Sequence, residues 1–118
     1  MKISFLFFFL FIACSLDKIY RKQLHNNEIS IELYHYSDLT SVSSDYIEVR
    51  KENKKELIFE HVFGLQDIEL QNNTITILHL KFQTLPKIKK DSVFGYRIIY
   101  KEVTSHEMYL KYLEENNH

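Results

Sequence analysis

Apolar and polar residues alternate in short segments along much of the chain, and this pattern constrains the fold more than any other feature of the sequence. The alternation is clear in residues 28–36, where every second residue from Ile29 to His35 falls on one side, and it recurs in residues 46–51 and 57–63. Successive side chains of a β-strand point to opposite faces of a sheet. A period of two therefore predicts strands in these segments.

A pair of asparagines marks the clearest turn in the sequence. Asn tolerates the positive φ that a two-residue β-hairpin requires, so residues 72–73 are predicted to join two strands. This turn sets Leu70 opposite Ile75 and Ile68 opposite Ile77. All four side chains then lie on one face of the sheet.

The loop between the second and third predicted strands depends on how the apolar residues pair. A three-residue loop at residues 52–54 sets Val49 opposite Leu57 and Ile47 opposite Phe59, whereas a two-residue loop sets Val49 opposite a glutamate. A slip of one residue moves every side chain to the other face of the sheet. The hydrophobic pattern therefore favours the longer loop.

The second half of the chain predicts two further strands and a helix. Residues 74–82 are apolar on both faces, as in a central strand that is covered on both sides, and residues 93–102 form a last long strand. The period then changes, because Thr104 and Glu107 form a capping box at the start of a short helix that ends near Asn116. The apolar stripe of this helix is expected to pack on the sheet and consists of Met108, Tyr109, Tyr112 and Leu113.

These elements predict a mainly β fold. Short strands that are mostly joined by hairpins, about six in number, are typical of a small antiparallel β-sandwich or open barrel, here with a short C-terminal helix. We expect residues 28–118 to form one such domain, since a chain of 118 residues lies within the ordinary size range of a single domain.

The amino terminus has the order of an export signal. Lys2 supplies a positive charge, residues 3–12 are apolar apart from Ser4, and Ala13 precedes Cys14, the single cysteine of the chain. The apolar run is shorter than the roughly 20 residues that a membrane-spanning helix needs. These features predict a cleaved signal rather than a permanent membrane span.

This segment resembles a bacterial lipoprotein signal, in which an aliphatic residue stands three places before an invariant cysteine and a small residue stands just before it. Ile12, Ala13 and Cys14 fit this pattern, and Phe11 stands where Leu is usual. The resemblance implies a signal peptide at residues 1–13 and diacylglycerol on the Cys14 sulfur. The lipid would hold the protein on a membrane of the bacterial cell envelope, facing the periplasm or the cell exterior. Residues 14–27 would form a lipid-anchored tether or a short helix. An ordinary signal peptide and a buried apolar segment ending in a core cysteine are the alternatives.

No motif in the sequence specifies a chemistry, and we expect no cofactor and no catalytic residue. The chain has 15 Lys and Arg against 16 Asp and Glu, so its charge does not favour nucleic acid, and its two isolated glycines form no phosphate-binding loop. His35, His61 and His79 each continue the apolar side of a strand. Because they lack the tight local spacing of metal ligands, we interpret them as histidines at the edge of the core rather than as a metal site.

Paired carboxylates leave an enzymatic alternative open. Glu48 with Glu60, or Asp67 with Glu69, could divide the roles of general acid and general base across a cleft. Such pairs are equally typical of the solvent-facing side of a sheet. A small envelope hydrolase that uses histidine and carboxylate side chains is therefore the second functional hypothesis.

Aromatic side chains indicate the candidate binding surface. Tyr34 and Tyr36 lie on the polar side of the first predicted strand, and Phe94, Tyr96 and Tyr100 share a face of the last one. Exposed tyrosines suit the recognition of proteins or sugars, although one of these faces could instead pack beneath the C-terminal helix. The leading hypothesis is a non-enzymatic binding module for an envelope protein or glycan, of which an immunity or inhibitor lipoprotein is one version.

Overall fold

A computed structural model of the protein describes residues 18–36, 44–62 and 66–116. The signal peptide and the lipidation of Cys14 remain predictions, because they lie outside the described residues. Within these residues the fold is mainly β, with nine strands in two open sheets and one helix. The predicted small β-sandwich with a C-terminal helix is confirmed, with more strands than the sequence indicates.

The first sheet has five strands. They are β1 (Lys18–His25), β2 (Ser30–Tyr36), β3 (Asp45–Lys51), β4 (Lys54–His61) and β7 (Ile88–Lys89). They lie in this order across the sheet, and every neighbouring pair is antiparallel. Strand β1 is therefore one edge of the sheet.

The second sheet has four strands. In spatial order they are β5 (Gln66–Gln71), β6 (Thr74–His79), β9 (Tyr96–Glu102) and β8 (Ser92–Val93). Strands β6 and β9 are parallel, which corrects the expectation of a wholly antiparallel sheet. Between these two strands the chain forms β7, which belongs to the first sheet. This connection is long enough to permit a parallel pair. Helix α1 (Ser105–Asn116) follows β9.

The core lies between the two sheets. Its fully buried side chains come from both, and the largest are Ile31, Leu33, Ile47, Ile58, Phe59, Ile68, Ile75 and Ile77. Burying one such side chain contributes about 1.5–3 kcal/mol, so this cluster is the main source of stability. Strand β6 lies between β5 and β9, which confirms the prediction of a central strand.

The asparagine turn is confirmed, with one change in its backbone. Residues 72–73 join β5 to β6, and Leu70 pairs with Ile75 and Ile68 with Ile77 as predicted. Only Asn72 of the two asparagines has a positive φ, of 54°. The left-handed conformation therefore lies at the first position of the turn.

The predicted three-residue loop at residues 52–54 is wrong. The turn between β3 and β4 has two residues, with Lys51 opposite Lys54, and Val49 faces Glu56 rather than Leu57. A bulge between Leu57 and Phe59 then adds the missing residue, so that Ile47 still pairs with Phe59. The bulge also lets Ile58 and Phe59 both be fully buried. The residue inserted in the strand, rather than a longer loop, therefore keeps the apolar side chains of β3 and β4 on the same face.

The structure also differs from the sequence-based prediction in two further segments. Residues 18–25, expected in a tether or short helix, form β1, whose alternation is weak because Leu24 is its only residue packed against the core cluster. The predicted strand at residues 93–102 is interrupted by a tight turn at Phe94 and Gly95, which have φ values of 49° and 82°. Glycine adopts a positive φ without cost, whereas a bulky residue rarely does.

Helix α1 has the predicted bounds but not the predicted packing. The Thr104 hydroxyl accepts a hydrogen bond from the backbone N–H of Glu107 at 3.1 Å, as the capping box requires. No residue of the helix is buried, however, and Tyr109 and Tyr112 keep 57% and 60% of their surface exposed. Ion pairs from Lys111 to Asp67 and Glu69 connect the helix to β5 instead.

Candidate functional site

Four tyrosines form a cluster on the outer face of the first sheet, and we call this cluster the tyrosine face: Tyr20, Tyr34, Tyr36 and Tyr46. Ile31 and Leu33 of β2 point into the core, so the alternating residues of the same strand point outward. Tyr34 lies opposite Tyr20 on β1 and Tyr46 on β3. The register of three strands therefore brings the tyrosines together.

Tyr34 is the centre of the tyrosine face. Its ring centroid lies 5.4 Å from that of Tyr46, in a stacked arrangement, and 5.7 and 6.1 Å from those of Tyr36 and Tyr20, edge to face. These distances and angles are those that aromatic pairs favour. Tyr34 is only 5% exposed, whereas Tyr20 is 46% exposed and Tyr36 and Tyr46 are half-buried. The face therefore combines a fixed centre with an accessible rim.

Two buried carboxylates lie next to the tyrosine face. Glu32 and Glu48 are cross-strand neighbours, and each is 8% exposed. The guanidinium Nε of Arg50 lies 3.0 Å from a carboxylate oxygen of both, so one cation is shared by two negative charges. Burial of the Tyr34 phenol, reinforced by the charge of Glu48, raises its pKa. Tyr34 therefore stays a neutral hydrogen-bonding group at physiological pH.

Lys18 lies beside the tyrosine face and contacts two of its rings. Its Nζ lies 4.1 Å from the ring centroid of Tyr34 and 4.9 Å from that of Tyr20, within the range of cation–π contacts. The same atom is 3.8 Å from a carboxylate oxygen of Glu32. The face therefore offers phenol rings, hydroxyls and paired charges within a small area, a combination suited to recognition.

The second predicted aromatic group is directed inward. Tyr96 is 4% exposed, and its hydroxyl donates to the Glu28 carboxylate at 2.8 Å and accepts from the Asn26 amide at 2.9 Å. The Tyr100 hydroxyl donates to the backbone carbonyl of Lys90, and the Phe94 ring packs against the core. The structure thus separates these three residues from Tyr34 and Tyr36, which belong to the tyrosine face.

The three histidines do not converge on one site. His61 and His79 both contact the ring of Phe82, with centroid distances of 5.0 and 3.9 Å, while their ring nitrogens lie 3.0 and 2.7 Å from the backbone carbonyls of Thr84 and Leu80. His35 lies two strands away from His61 in the first sheet. Among the described residues, no group of three or more His, Cys, Asp and Glu side chains could hold a metal ion.

Asp45 occupies the strand between His35 and His61 and faces both in the register. Burial raises the pKa of its carboxyl, and this effect outweighs the opposing attraction of the Arg21 guanidinium, whose Nη1 lies 2.8 Å away. Asp45 is only 9% exposed, and His61 is 2% exposed. A substrate has little access to either side chain.

The carboxylate pairs of the enzymatic hypothesis are also held in structural contacts. Glu48 is bound to Arg50, and Glu60 lies 3.8 Å from the Nζ of Lys87. Asp67 binds Lys22 and Lys111, and a groove between helix α1 and the edges of both sheets passes beside it. None of the three histidines lines this groove.

Comparison of the chain with protein-family models, with curated proteins and with solved structures finds no match. Within the part of the chain that the structure describes, no helix is long and apolar enough to cross a membrane. The chemistry of the described side chains is therefore the basis for a functional proposal.

Two of the four tyrosines in the tyrosine face, Tyr20 and Tyr46, were not predicted from the sequence. Tyr34 and Tyr36 follow from the alternation in β2, and Tyr46 could have been added because it precedes the inward-facing Ile47. Tyr20 and Lys18 could not be recognised while residues 14–27 were interpreted as a tether. Their position depends on the pairing of β1 with β2.

Proposed function

We propose that the protein is a lipid-anchored protein of the bacterial cell envelope that binds a protein or a glycan, without catalysis, through the tyrosine face. The observation that carries this proposal is the fixed cluster of four tyrosines beside two buried, paired carboxylates. The resemblance of residues 1–14 to a lipoprotein signal supports the anchoring.

The tyrosine face has the properties that make a small surface bind strongly. A tyrosine side chain provides a large rigid contact area with few rotatable bonds and a polar hydroxyl at its tip. Tyr34 already packs against its three neighbours, so little conformational entropy is lost when a ligand covers the accessible rings of Tyr20, Tyr36 and Tyr46. Preorganisation of this kind favours recognition.

The geometry favours binding over hydrolysis. A general acid or base has to come within hydrogen-bond reach of the substrate, and His61 and His79 are 2% and 6% exposed. One nitrogen of each ring already lies against a backbone carbonyl. The carboxylates Glu48 and Asp67 are engaged by cations of the same chain. These contacts stabilise the fold and leave no accessible pair for acid–base chemistry among them.

The proposal is tested by substitution of the tyrosine face in a capture experiment. Residues 15–118 would be immobilised as the unmodified chain, as a Tyr36→Ser/Tyr46→Ser variant and as a Tyr109→Ser/Tyr112→Ser variant on helix α1. Each would be incubated with envelope extract and with purified cell-wall glycan. The helix variant is a matched control, because it also removes two accessible tyrosine rings.

We expect a ligand that the unmodified chain and the helix variant retain and that the tyrosine-face variant loses by tenfold or more. Circular dichroism of all three proteins would establish that they are folded. Equal capture by the two double variants would contradict the proposal, and so would hydrolysis of a captured glycan by the unmodified chain.

A further inference from the structure

A groove of about 650 Å³ lies between helix α1 and the edges of both sheets. Its walls come from Arg21 and Lys22 of β1, from Gln66 and Asp67 of β5 and from one side of the helix, and it reaches the core residue Leu33. The volume falls within the range of about 300–1,000 Å³ that is typical of small-molecule sites. The groove lies apart from the tyrosine face, since none of the four tyrosines lines it.

The helix contributes an apolar stretch to the groove, beside the polar residues Ser105, Glu115 and Asn116, and this stretch is incompletely buried. Met108, Tyr109 and Tyr112 line it, and Tyr109 and Tyr112 remain more than half exposed. These are three of the four residues of the apolar stripe of the helix, which would ordinarily be covered by packing. In this protein the helix is instead held across the groove by ion pairs of Lys22 with Glu115 and of Lys111 with Asp67. The stripe therefore faces an open space rather than the sheet.

The charges around the groove are already neutralised. Arg21 is bound to Asp45 at 2.8 Å, and Lys22 is bound to both Asp67 and Glu115 at 2.9 Å. A charged ligand would have to compete with these internal partners and lose its own hydration. A neutral ligand disturbs none of these ion pairs and fits the apolar stripe.

Gln66 provides a polar group at the same place. It lines the groove and is 4% exposed, and its amide oxygen is buried without a hydrogen-bond partner in the described part of the chain. Buried polar atoms in folded proteins nearly always have a partner, so an unsatisfied one calls for an explanation. Rotation of the terminal amide would let a donor in the groove satisfy this oxygen.

From these contacts we infer that the groove is a second binding site, specific for a neutral and largely apolar small molecule with one N–H or O–H donor. The ligand packs between Leu33 and the helix stripe, and its donor binds the side-chain amide of Gln66. This site is independent of the tyrosine face and does not rest on the function proposed for that surface.

The inference is tested with N-phenyl-1-naphthylamine, a neutral aromatic amine with one N–H whose fluorescence rises in apolar surroundings. The protein used is residues 15–118, which contain all the strands and the helix of the described residues. We expect saturable binding of one molecule per chain. Gln66→Leu should weaken binding about three- to tenfold, the factor that the loss of one neutral hydrogen bond predicts. Met108→Trp should fill the groove and weaken binding more than about tenfold by the same titration.

Leu110→Ala is the matched control, because Leu110 belongs to the same helix, is 49% exposed and does not line the groove. It should bind the probe as the unmodified chain does. In methyl NMR spectra the probe should shift the signals of Leu33 and Met108 and leave Leu57 unchanged, a readout that needs no variant. Equal fluorescence titrations for all four proteins, or shifts confined to other methyl groups, would overturn the inference. Self-association that Met108→Trp abolishes would assign the groove to a second copy and would also overturn it.

Discussion

The turn between β5 and β6 contains two adjacent asparagines that differ in backbone conformation. Substitution of one therefore serves as a control for substitution of the other. Asn72 and Asn73 are both exposed, and only Asn72 has a positive φ. Substitution at either position changes little besides the backbone preference. The left-handed region costs an ordinary residue about 1–2 kcal/mol, and a β-branched side chain resists it most. We therefore expect Asn72→Val to lower the free energy of unfolding by about 1–2 kcal/mol and Asn73→Val to change it by less than about 0.5 kcal/mol.

The expected difference is measurable by thermal unfolding. For a domain of about 100 residues, 1 kcal/mol corresponds to a change in Tm of roughly 4–8 °C, so the two valine variants should differ clearly in circular dichroism melts. Asn72→Gly should leave the Tm unchanged or raise it, because glycine adopts this φ without steric cost. A larger loss for Asn73→Val than for Asn72→Val would refute the assignment of the left-handed position.

Two further predictions concern the anchor and the ion pairs of helix α1. Metabolic labelling with a fatty acid should mark the unmodified chain, and Cys14→Ala should abolish the label and release the protein from membranes; membrane association of an unlabelled wild type would contradict the lipoprotein proposal. Burial of Asp67 opposes its ionisation, but hydrogen bonds from Lys111 and Lys22 outweigh this effect and lower its pKa. The stability lost in Asp67→Asn should therefore be full above about pH 4, the pKa of an unfolded aspartate, and should vanish in chemical denaturation as the pH falls through the lower pKa of the folded state. A difference that grows on acidification would show that the ion pairs do not set this pKa.

The strands that the sequence predicts are those with one side in the core. Ile29, Ile31 and Leu33 alternate strictly because every second side chain of this segment enters the core cluster. Strand β1 lacks this signal, since it is an edge strand whose side chains are mostly exposed. Its existence depends on hydrogen bonds to β2, which no local pattern records.

Local irregularities account for the other differences. The bulge at Ile58 inserts one residue into β4, so that a two-residue turn still leaves Ile47 opposite Phe59. A prediction from strict alternation assumes that no residue is inserted and therefore requires a longer loop. Similarly, the turn at Phe94 and Gly95 interrupts a segment that was predicted as one strand, and Phe94 gives no sign of it because aromatic residues are rare at positive φ. Both features are recognised only when the partner strand is known.

The functional surfaces depend on contacts between distant segments. Tyr34 and Tyr36 could be placed on an outer face from β2 alone, whereas the cluster requires Tyr20 from β1 and Tyr46 from β3. The groove is even harder to predict from local sequence, because the ion pair between Asp67 and Lys111 joins residues 44 positions apart. Composition and period predict that helix α1 is amphipathic but not where its apolar side is directed.

The proposed lipid anchor would lie only a few residues from the start of β1 at Lys18. If Cys14 carries the lipid, four residue steps separate the anchor from the first strand, a reach of at most about 14 Å when fully extended. Because the Nζ of Lys18 lies over the Tyr34 ring, such an anchor would keep the tyrosine face near the lipid headgroups. A ligand of this face would then be met by lateral diffusion, because the anchored domain would move in the plane of the membrane.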